Sequence, residues 1–350
     1  MKIATILGAR PQFIKAAEIS EKINLHDSLS ELIIHTGQHY SSNMSNIFFQ
    51  EMNIPNPKYN LEINQMEYGL MIDRMVEKIY PILLKESVNG VLVYGDTNST
   101  LAASLCAKKL NLPIFHVEAG LRSGNRSMFE ENNRIITDHL SSLLFCPTEN
   151  AMDNLKNENL IKRSVLSGDV MYDTFLKYSA RPFLLNQNLK KKKYILSTIH
   201  RRENINSPKK LSVIFKNLDK INNELKIIMP LHPHTKKKLK EYKIKTNVEF
   251  IDPVGYISML SILNNCKMVI TDSGGLQKES FFAKKKCLTV RTKTEWVELI
   301  DNKANILIPP KKIYYFYRKF INSEIIFTKN PLGDGNASSI ILDSIMKFFN

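Results

Sequence analysis

The sequence predicts an α/β protein built from two doubly wound, Rossmann-like parallel sheets. Three observations carry this expectation. Short apolar runs of strand length alternate with stretches of helical periodicity along the chain. The rhythm breaks over residues 174–193, where Arg181-Pro182, two asparagines and the run Lys190–Lys193 fall together. Polar motifs stand directly after apolar runs in both halves, at the carboxyl ends of strands, where open α/β sheets bind ligands.

The elements follow in order. Residues 2–7 read as the first strand, closed by Gly8, with Pro11 suited to the first position of a helix. Further strands are expected at 31–36, 90–95, 113–118 and 143–146, then at 194–199, 226–231, 247–251, 267–271 and 287–290. Helical periodicity covers 97–110, 207–222 and 274–283 among others. The break at 174–193 is read as a linker. The expected domains are therefore 1–175 and 176–335, with an apolar-periodic helix at 336–350 docking on the first.

Composition bounds the class. With 350 residues, 43% hydrophobic and 24% charged, the chain can bury two ordinary cores. The apolar start ends at Leu7, too short for a signal-peptide core, and no run approaches the roughly 20 apolar residues of a membrane span. Cys106, Cys146, Cys266 and Cys287 form no C-x-x-C pair, so reduced core cysteines in the cytoplasm are expected. The net charge of +15 is uneven: residues 1–175 hold 16 Lys and Arg against 20 Asp and Glu, residues 176–350 hold 33 against 14. A basic second half suits an anionic ligand, although Lys236–Lys238 and similar runs also read as solvated surface in a Lys-, Asn- and Ile-rich chain. No aromatic-interleaved basic stripe appears, so nucleic acid is not an expected partner.

The most informative stretch is Thr271-Asp272-Ser273-Gly274-Gly275-Leu276-Gln277-Lys278-Glu279. It follows Met268-Val269-Ile270 and opens a helix, placing bare N–H groups at a positive helix end where a phosphate sits well. Glu279, one turn on, stands where a carboxylate reaches the hydroxyls of a ribose. The plainer alternative is a tight turn capped by Ser273. Arg10, with Lys15 one turn on, follows the first strand and suits either phosphate clamping or the solvated charges of an ordinary strand–helix turn. His200-Arg201-Arg202-Glu203-Asn204 ends the first strand of the second domain; His200 can carry protons or contact a diphosphate, and the arginines suit an anion. His232-Pro233-His234 is a weaker signal of the same kind.

Carboxylates gather in the first half. Asp96 ends the third strand, where it either caps the next helix or does chemistry. Glu118 lies at the end of an apolar run, where a buried acid needs a partner or a job. Glu130-Glu131 opens a helix, whose N-terminus favours acids anyway. Asp96, Glu118 and Glu130 would put three carboxylates at one sheet edge, an arrangement that separates their acidities into acid and base. No H-E-x-x-H, G-x-G-x-x-G or P-loop occurs, so no metal, NAD or ATP is expected and no cofactor is assigned.

With these residues in view, the chain resembles the non-hydrolysing UDP-N-acetylglucosamine 2-epimerases over nearly its full length. The motifs are Gly8-Ala9-Arg10-Pro11, Thr36-Gly37-Gln38-His39, Gly95-Asp96-Thr97, His116-Val117-Glu118-Ala119-Gly120-Leu121-Arg122, Glu130-Glu131 with Asn133-Arg134, His200 to Asn204, Thr271 to Gly275 and Gly333-Asp334-Gly335. The resemblance implies a glycosyltransferase-B-like fold, an active site in the interdomain cleft and a homodimer. It implies that Asp96, Glu118 and Glu130 are the acid/base carboxylates and that His200 assists at the diphosphate. Arg10, Lys15, Ser273, Gly274, Gly275, Glu279 and Arg291 would hold UDP, with Gln38, His39, Arg122, Arg134, Arg201 and His232 also on the substrate. Three motifs depart from the family: Phe129 and Asn132 stand where Pro and Ala are usual, Thr292-Lys293-Thr294-Glu295-Trp296-Val297 stands for Asp-Thr-Thr-Glu-Arg-Pro, and Tyr40-Ser41 follows Gln38-His39 where many bacterial members have a second Gln. Gly8-Ala9-Arg10-Pro11-Gln12-Phe13 and Thr294-Glu295-Trp296-Val297-Glu298 look closer to the branch acting on UDP-2,3-diacetamido-2,3-dideoxyglucuronate.

The family reaction, inversion at C2 of a UDP-sugar, agrees with the residues. The C2 proton adjoins no carbonyl, so the route left without NAD is to expel UDP through an oxocarbenium-like state. Loss of the C2 proton gives a 2-acetamidoglucal, and reprotonation on the other face with return of UDP completes inversion. That chemistry needs carboxylates at the sugar and cations or N–H groups at the diphosphate. A glycosyltransferase of the same fold or a silent nucleotide-sugar-binding protein would share the UDP seat without needing three acids.

Overall fold

The computed structural model describes residues 1–38, 48–64, 66–180, 194–301, 303–325, 327 and 330–350. His39 and most of the expected linker, 181–193, lie outside them. The chain divides into two compact units, Met1–Leu176 with Pro331–Asn350, and Lys177–Asn330.

The first unit runs β1 (Lys2–Leu7), α1 (Arg10–Asn24), β2 (Ser30–His35), β3 (Tyr59–Asn60), α2 (Tyr68–Glu86), β4 (Gly90–Tyr94), α3 (Asn98–Lys109), β5 (Ile114–Val117), α4 (Phe129–Leu140), β6 (Leu143–Cys146), α5 (Glu149–Asn157), β7 (Ser164–Leu166) and α6 (Val170–Ser179, crossing into the second unit). Its seven strands are all parallel, in the order β3-β2-β1-β4-β5-β6-β7. Strands buried on both faces read as continuous apolar runs, and Gly90-Val91-Leu92-Val93-Tyr94 is wholly buried. Met71, Met75, Ile79 and Leu83 recur every fourth residue of α2 and join Ile6, Ile34, Val91 and Val93 in one core.

The second unit continues with β8 (Ile195–Thr198), α7 (Arg202–Ile205), α8 (Pro208–Asn222), β9 (Ile227–Pro230), α9 (Pro233–Glu241), β10 (Glu249–Ile251), α10 (Tyr256–Asn265), β11 (Met268–Thr271), α11 (Gly274–Phe282), β12 (Lys286–Thr289), α12 (Val297–Asp301), β13 (Asn305–Leu307) and α13 (Ile313–Phe320). Its sheet, also parallel, has the order β10-β9-β8-β11-β12-β13. Leu211, Ile214, Phe215 and Leu218 of α8 pack on Ile195, Ile227, Met268 and Ile270.

The last helix, α14 (Ala337–Phe349), belongs to the first unit. Asp173 accepts hydrogen bonds from Ala337 N, Ser338 N and Ser338 Oγ at its start, α14 lies on α1, and the rings of Phe348 and Phe349 meet Phe115 edge-on. Leu332 O accepts from Asp169 N, which ties residues from Pro331 onward to this unit.

Both sheets reverse their winding direction once, between β1 and β4 and between β8 and β11. Strand ends at such a switch point diverge and leave a crevice, so each unit has one built-in place for a ligand.

Candidate active site

In the first unit the switch point carries the acids. Gly8 N and Ala9 N donate to Gln12 Oε1, whose amide in turn donates to Tyr94 O and Thr100 Oγ1, so the turn after β1 is tied to the turn after β4. Gln38 Oε1 accepts from Ser99 N and Oγ at the start of α3. Thr97, not Asp96, caps α3, which leaves the Asp96 carboxylate to pair with Arg134 of α4. Glu118, held at φ +68° just after β5, pairs with Lys15 of α1. Glu130, in the first turn of α4, is exposed. Asp96, Glu118 and Glu130 thus stand after the neighbouring strands β4 and β5 and at the helix that follows.

A second tier of groups holds these acids. Glu131 is buried; it accepts Ser123 N and Gly124 N at 2.9–3.0 Å and receives Arg134 Nη1 at 3.1 Å. Arg134 therefore spans Glu131 and Asp96. Asn133 donates to Asp96 O and receives the Tyr68 hydroxyl, while the Tyr68 ring stacks on Phe129 at 4.0 Å. The wholly buried His116 has both ring nitrogens at 2.7 Å from oxygens, Asp138 Oδ1 and Gly95 O. Asp138 also receives Gly120 N and Arg122 Nη1. Burial alone would raise the Asp138 carboxyl; the His116 hydrogen bond and charge, with the Arg122 charge, outweigh it and hold it below the usual range. Arg122, assigned to substrate from sequence, is committed in this structure to Asp138 and a bidentate pair with Glu158. Arg10 lies over the Phe48 ring, 5.1 Å from its centroid.

In the second unit the switch point carries donors. Asp272, fully buried after β11, accepts from His200 N, Arg201 N and Asn204 Nδ2, so one carboxylate shapes the whole turn after β8. His200 stacks on His232 from β9's end, with centroids 5.6 Å apart. Ser273 caps α11 through Leu276 N, as the plainer reading of its motif expected, and Gly274 and Gly275 form the bare first turn. Glu279 is buried on the second turn. Arg291, after β12, is buried with Nε and Nη1 lacking hydrogen-bond partners, and its Nη2 lies 2.9 Å from Glu295 Oε2. The indole of Trp296 is backed by Lys278 Nζ, 4.1 Å from its centroid. A capped turn and a phosphate seat are compatible here, because the cap occupies one N–H and leaves the others.

One unit thus carries acids at its switch point, and the other carries backbone and guanidinium donors at its own. The family model for UDP-N-acetylglucosamine 2-epimerase matches residues 21–346. The chain belongs to that family. It is 46% identical to UDP-2,3-diacetamido-2,3-dideoxy-D-glucuronate 2-epimerase of Pseudomonas aeruginosa, over 99% of this chain and 100% of that one. It is 47% identical to a UDP-N-acetylglucosamine 2-epimerase homolog of Methanococcus maripaludis, over 98% and 99%. The crystal structure of Methanocaldococcus jannaschii UDP-GlcNAc 2-epimerase in complex with UDP-GlcNAc and UDP superimposes with a TM-score of 0.92 at 38% identity, covering 99% and 100% of the two chains. The two parallel doubly wound sheets are those of the Rossmann-like, glycosyltransferase-B-type fold that the sequence predicted. Among the described residues no helix is long and apolar enough to cross a membrane.

Asp272, Glu131, His116 and Glu295 were missed as working residues. The first three lie inside motifs that the sequence singles out. Asp272 and His116 find partners far off in the chain, at His200 to Asn204 and at Asp138, where no spacing rule reaches, whereas Glu131 pairs with Arg134 one helical turn on, inside its own motif.

Proposed function

We propose that this protein inverts C2 of a UDP-2-acetamido sugar, UDP-N-acetylglucosamine first, by elimination and re-addition of UDP. The observation that carries the reading is the pair of acid-bearing turns after β4 and β5, Asp96 paired with Arg134 and Glu118 with Lys15, with Glu130 opening the helix that follows, in a chain of this family. The C1–O bond breaks with its electron pair leaving on UDP, and a carboxylate takes the C2 proton as the C1–C2 double bond forms. A second carboxylate then delivers a proton to the other face while the diphosphate oxygen returns to C1. Asp96, Glu118 and Glu130 serve these transfers. Arg134 and Lys15 steady the first two. Ser273, Gly274, Gly275, Glu279 and Arg291, with Arg10, hold UDP, and His200 and Arg201 assist its departure. A homodimer in the cytoplasm completes the proposal; four unpaired, buried cysteines fit a reducing compartment.

A second reading is favoured by the 46% identity to the diacetamidoglucuronate enzyme. A C6 carboxylate calls for a cation at the sugar, and Arg126 is exposed in the segment between Glu118 and Glu130. One experiment addresses both readings: proton NMR of each UDP-sugar with the protein in D2O. The proposal expects deuterium at C2 of the product, and epimerised product without deuterium excludes the route. Turnover of the uronate that collapses in Arg126→Ala selects the second reading; efficient use of UDP-N-acetylglucosamine, indifferent to Arg126, selects the first.

A further inference from the structure

Glu295 stands where an anion belongs. Its Oε2 lies 2.9 Å from Arg291 Nη2, and its Oε1 lies 3.6 Å from Arg201 Nη2. The same Oε1 is 3.0 Å from the point a Cβ on Gly274 would occupy, with Arg201 Nη2 at 3.5 Å and Trp296 Nε1 at 3.8 Å from that point. Gly274 is the first residue of α11, so the carboxylate sits at the positive end of a nine-residue helix, between two guanidinium groups. Arg291 is 94% removed from solvent, with 6% exposure, and its Nε and Nη1 are buried without hydrogen-bond partners. A buried guanidinium with open donors is costly unless an acceptor arrives. One carboxylate oxygen engages Arg291, whereas a diphosphate brings several oxygens to the same place.

We propose that Glu295 is a resident counter-anion: its carboxylate occupies the diphosphate seat when the seat is empty, and UDP must displace it. This rests on the reading of α11 and Arg291 as the UDP seat and adds a residue whose charge opposes binding. In the empty site Glu295 neutralises Arg201 and Arg291 and keeps the turn at Gly274 formed. On arrival of UDP, the diphosphate takes over the guanidinium groups and like-charge repulsion drives the carboxylate aside. Such a competitor weakens the hold on UDP, which suits a reaction that must release the diphosphate from the sugar and then return it.

The proposal makes a prediction of unusual sign: removing a charged residue from a ligand site tightens binding. Affinities for UDP and for uridine are measured by titration calorimetry on the whole protein, with Glu295→Gln and with Glu295→Asp, whose carboxylate is withdrawn by one methylene. UDP should bind Glu295→Gln about tenfold more tightly, the scale of one charge-assisted hydrogen bond no longer broken on binding. Glu295→Asp should shift the same way, and uridine, lacking phosphate, should bind all three proteins alike. Unchanged or weaker UDP affinity in the folded variants overturns the proposal. Wild-type protein that binds no UDP overturns the seat itself, a different result from a seat that binds UDP without gain in either variant.

Discussion

Lys15 and Glu118 form an ion pair inside the first unit, their side chains only 8% and 9% exposed, and Gly95 is packed against both. A Cβ at Gly95 would lie 3.1 Å from Glu118 Oε2 and 3.2 Å from Lys15 Nζ. The residue beside Asp96 therefore sets the room available to the other acid. His116 donates to the same turn through Gly95 O, so the two acid-bearing turns are mechanically joined.

Gly95→Ala should accordingly injure turnover more than stability. The residue has φ +65°, where a side chain costs about 1–2 kcal/mol. Urea midpoints would report that loss, while turnover at a temperature where both proteins are folded would report displacement of the Lys15–Glu118 pair. Near-wild-type turnover would count against a shared site for the two turns.

Asp96→Asn, Glu118→Gln and Glu130→Gln should each lower turnover by about 100-fold or more, the scale of lost acid–base help. UDP affinity should stay, since apart from Arg10 the residues proposed to hold UDP belong to the second unit. Ser273→Ala and Glu279→Ala should do the reverse, weakening UDP by about 1–3 kcal/mol. Wild-type rates in all three acid variants would remove the carboxylate assignment.

Glu31 makes stability depend on pH. Only part of the residue is covered, but its carboxyl points inward, with Oε2 buried and unpartnered. Burial pushes the carboxyl up to about 7 from its ordinary 4.5, against hydrogen bonds from Thr5 and Ser20 that lower it. Below pH 4.5 the group is neutral folded and unfolded alike, and stability is fully present. As pH rises to 7 the unfolded chain ionises first, so on the order of 3 kcal/mol is lost, all of it by pH 8. Glu31→Gln should raise the urea midpoint at pH 8 and leave it nearly unchanged at pH 4.5. An equal shift at both values would remove the carboxyl as the cause.

The doubly wound architecture was legible because central parallel strands such as 90–94 and 268–271 are unbroken apolar runs. What escaped were β3, β7 and β13, two or three residues each at sheet edges, where half-buried positions such as Ser164 and Tyr59 carry no pattern. The motifs likewise located Asp96, Glu118 and Ser273, because strand-end residues are marked by the apolar run before them. The pairings Lys15–Glu118, Arg134–Asp96 and Glu295–Arg291 were not legible. The first two join residues 103 and 38 positions apart, and the third depends on how the chain turns after β12.

Because residues from Pro331 onward complete the first unit, the second unit is, in order of synthesis, an insertion. A ribosome that has made Asn330 has finished the second unit but has left α1, the helix bearing Lys15, without α14 against it, and Asp173 without the three hydrogen bonds it receives there. The acid-bearing unit therefore gains α14 and the contacts it makes only after the second unit has been synthesised.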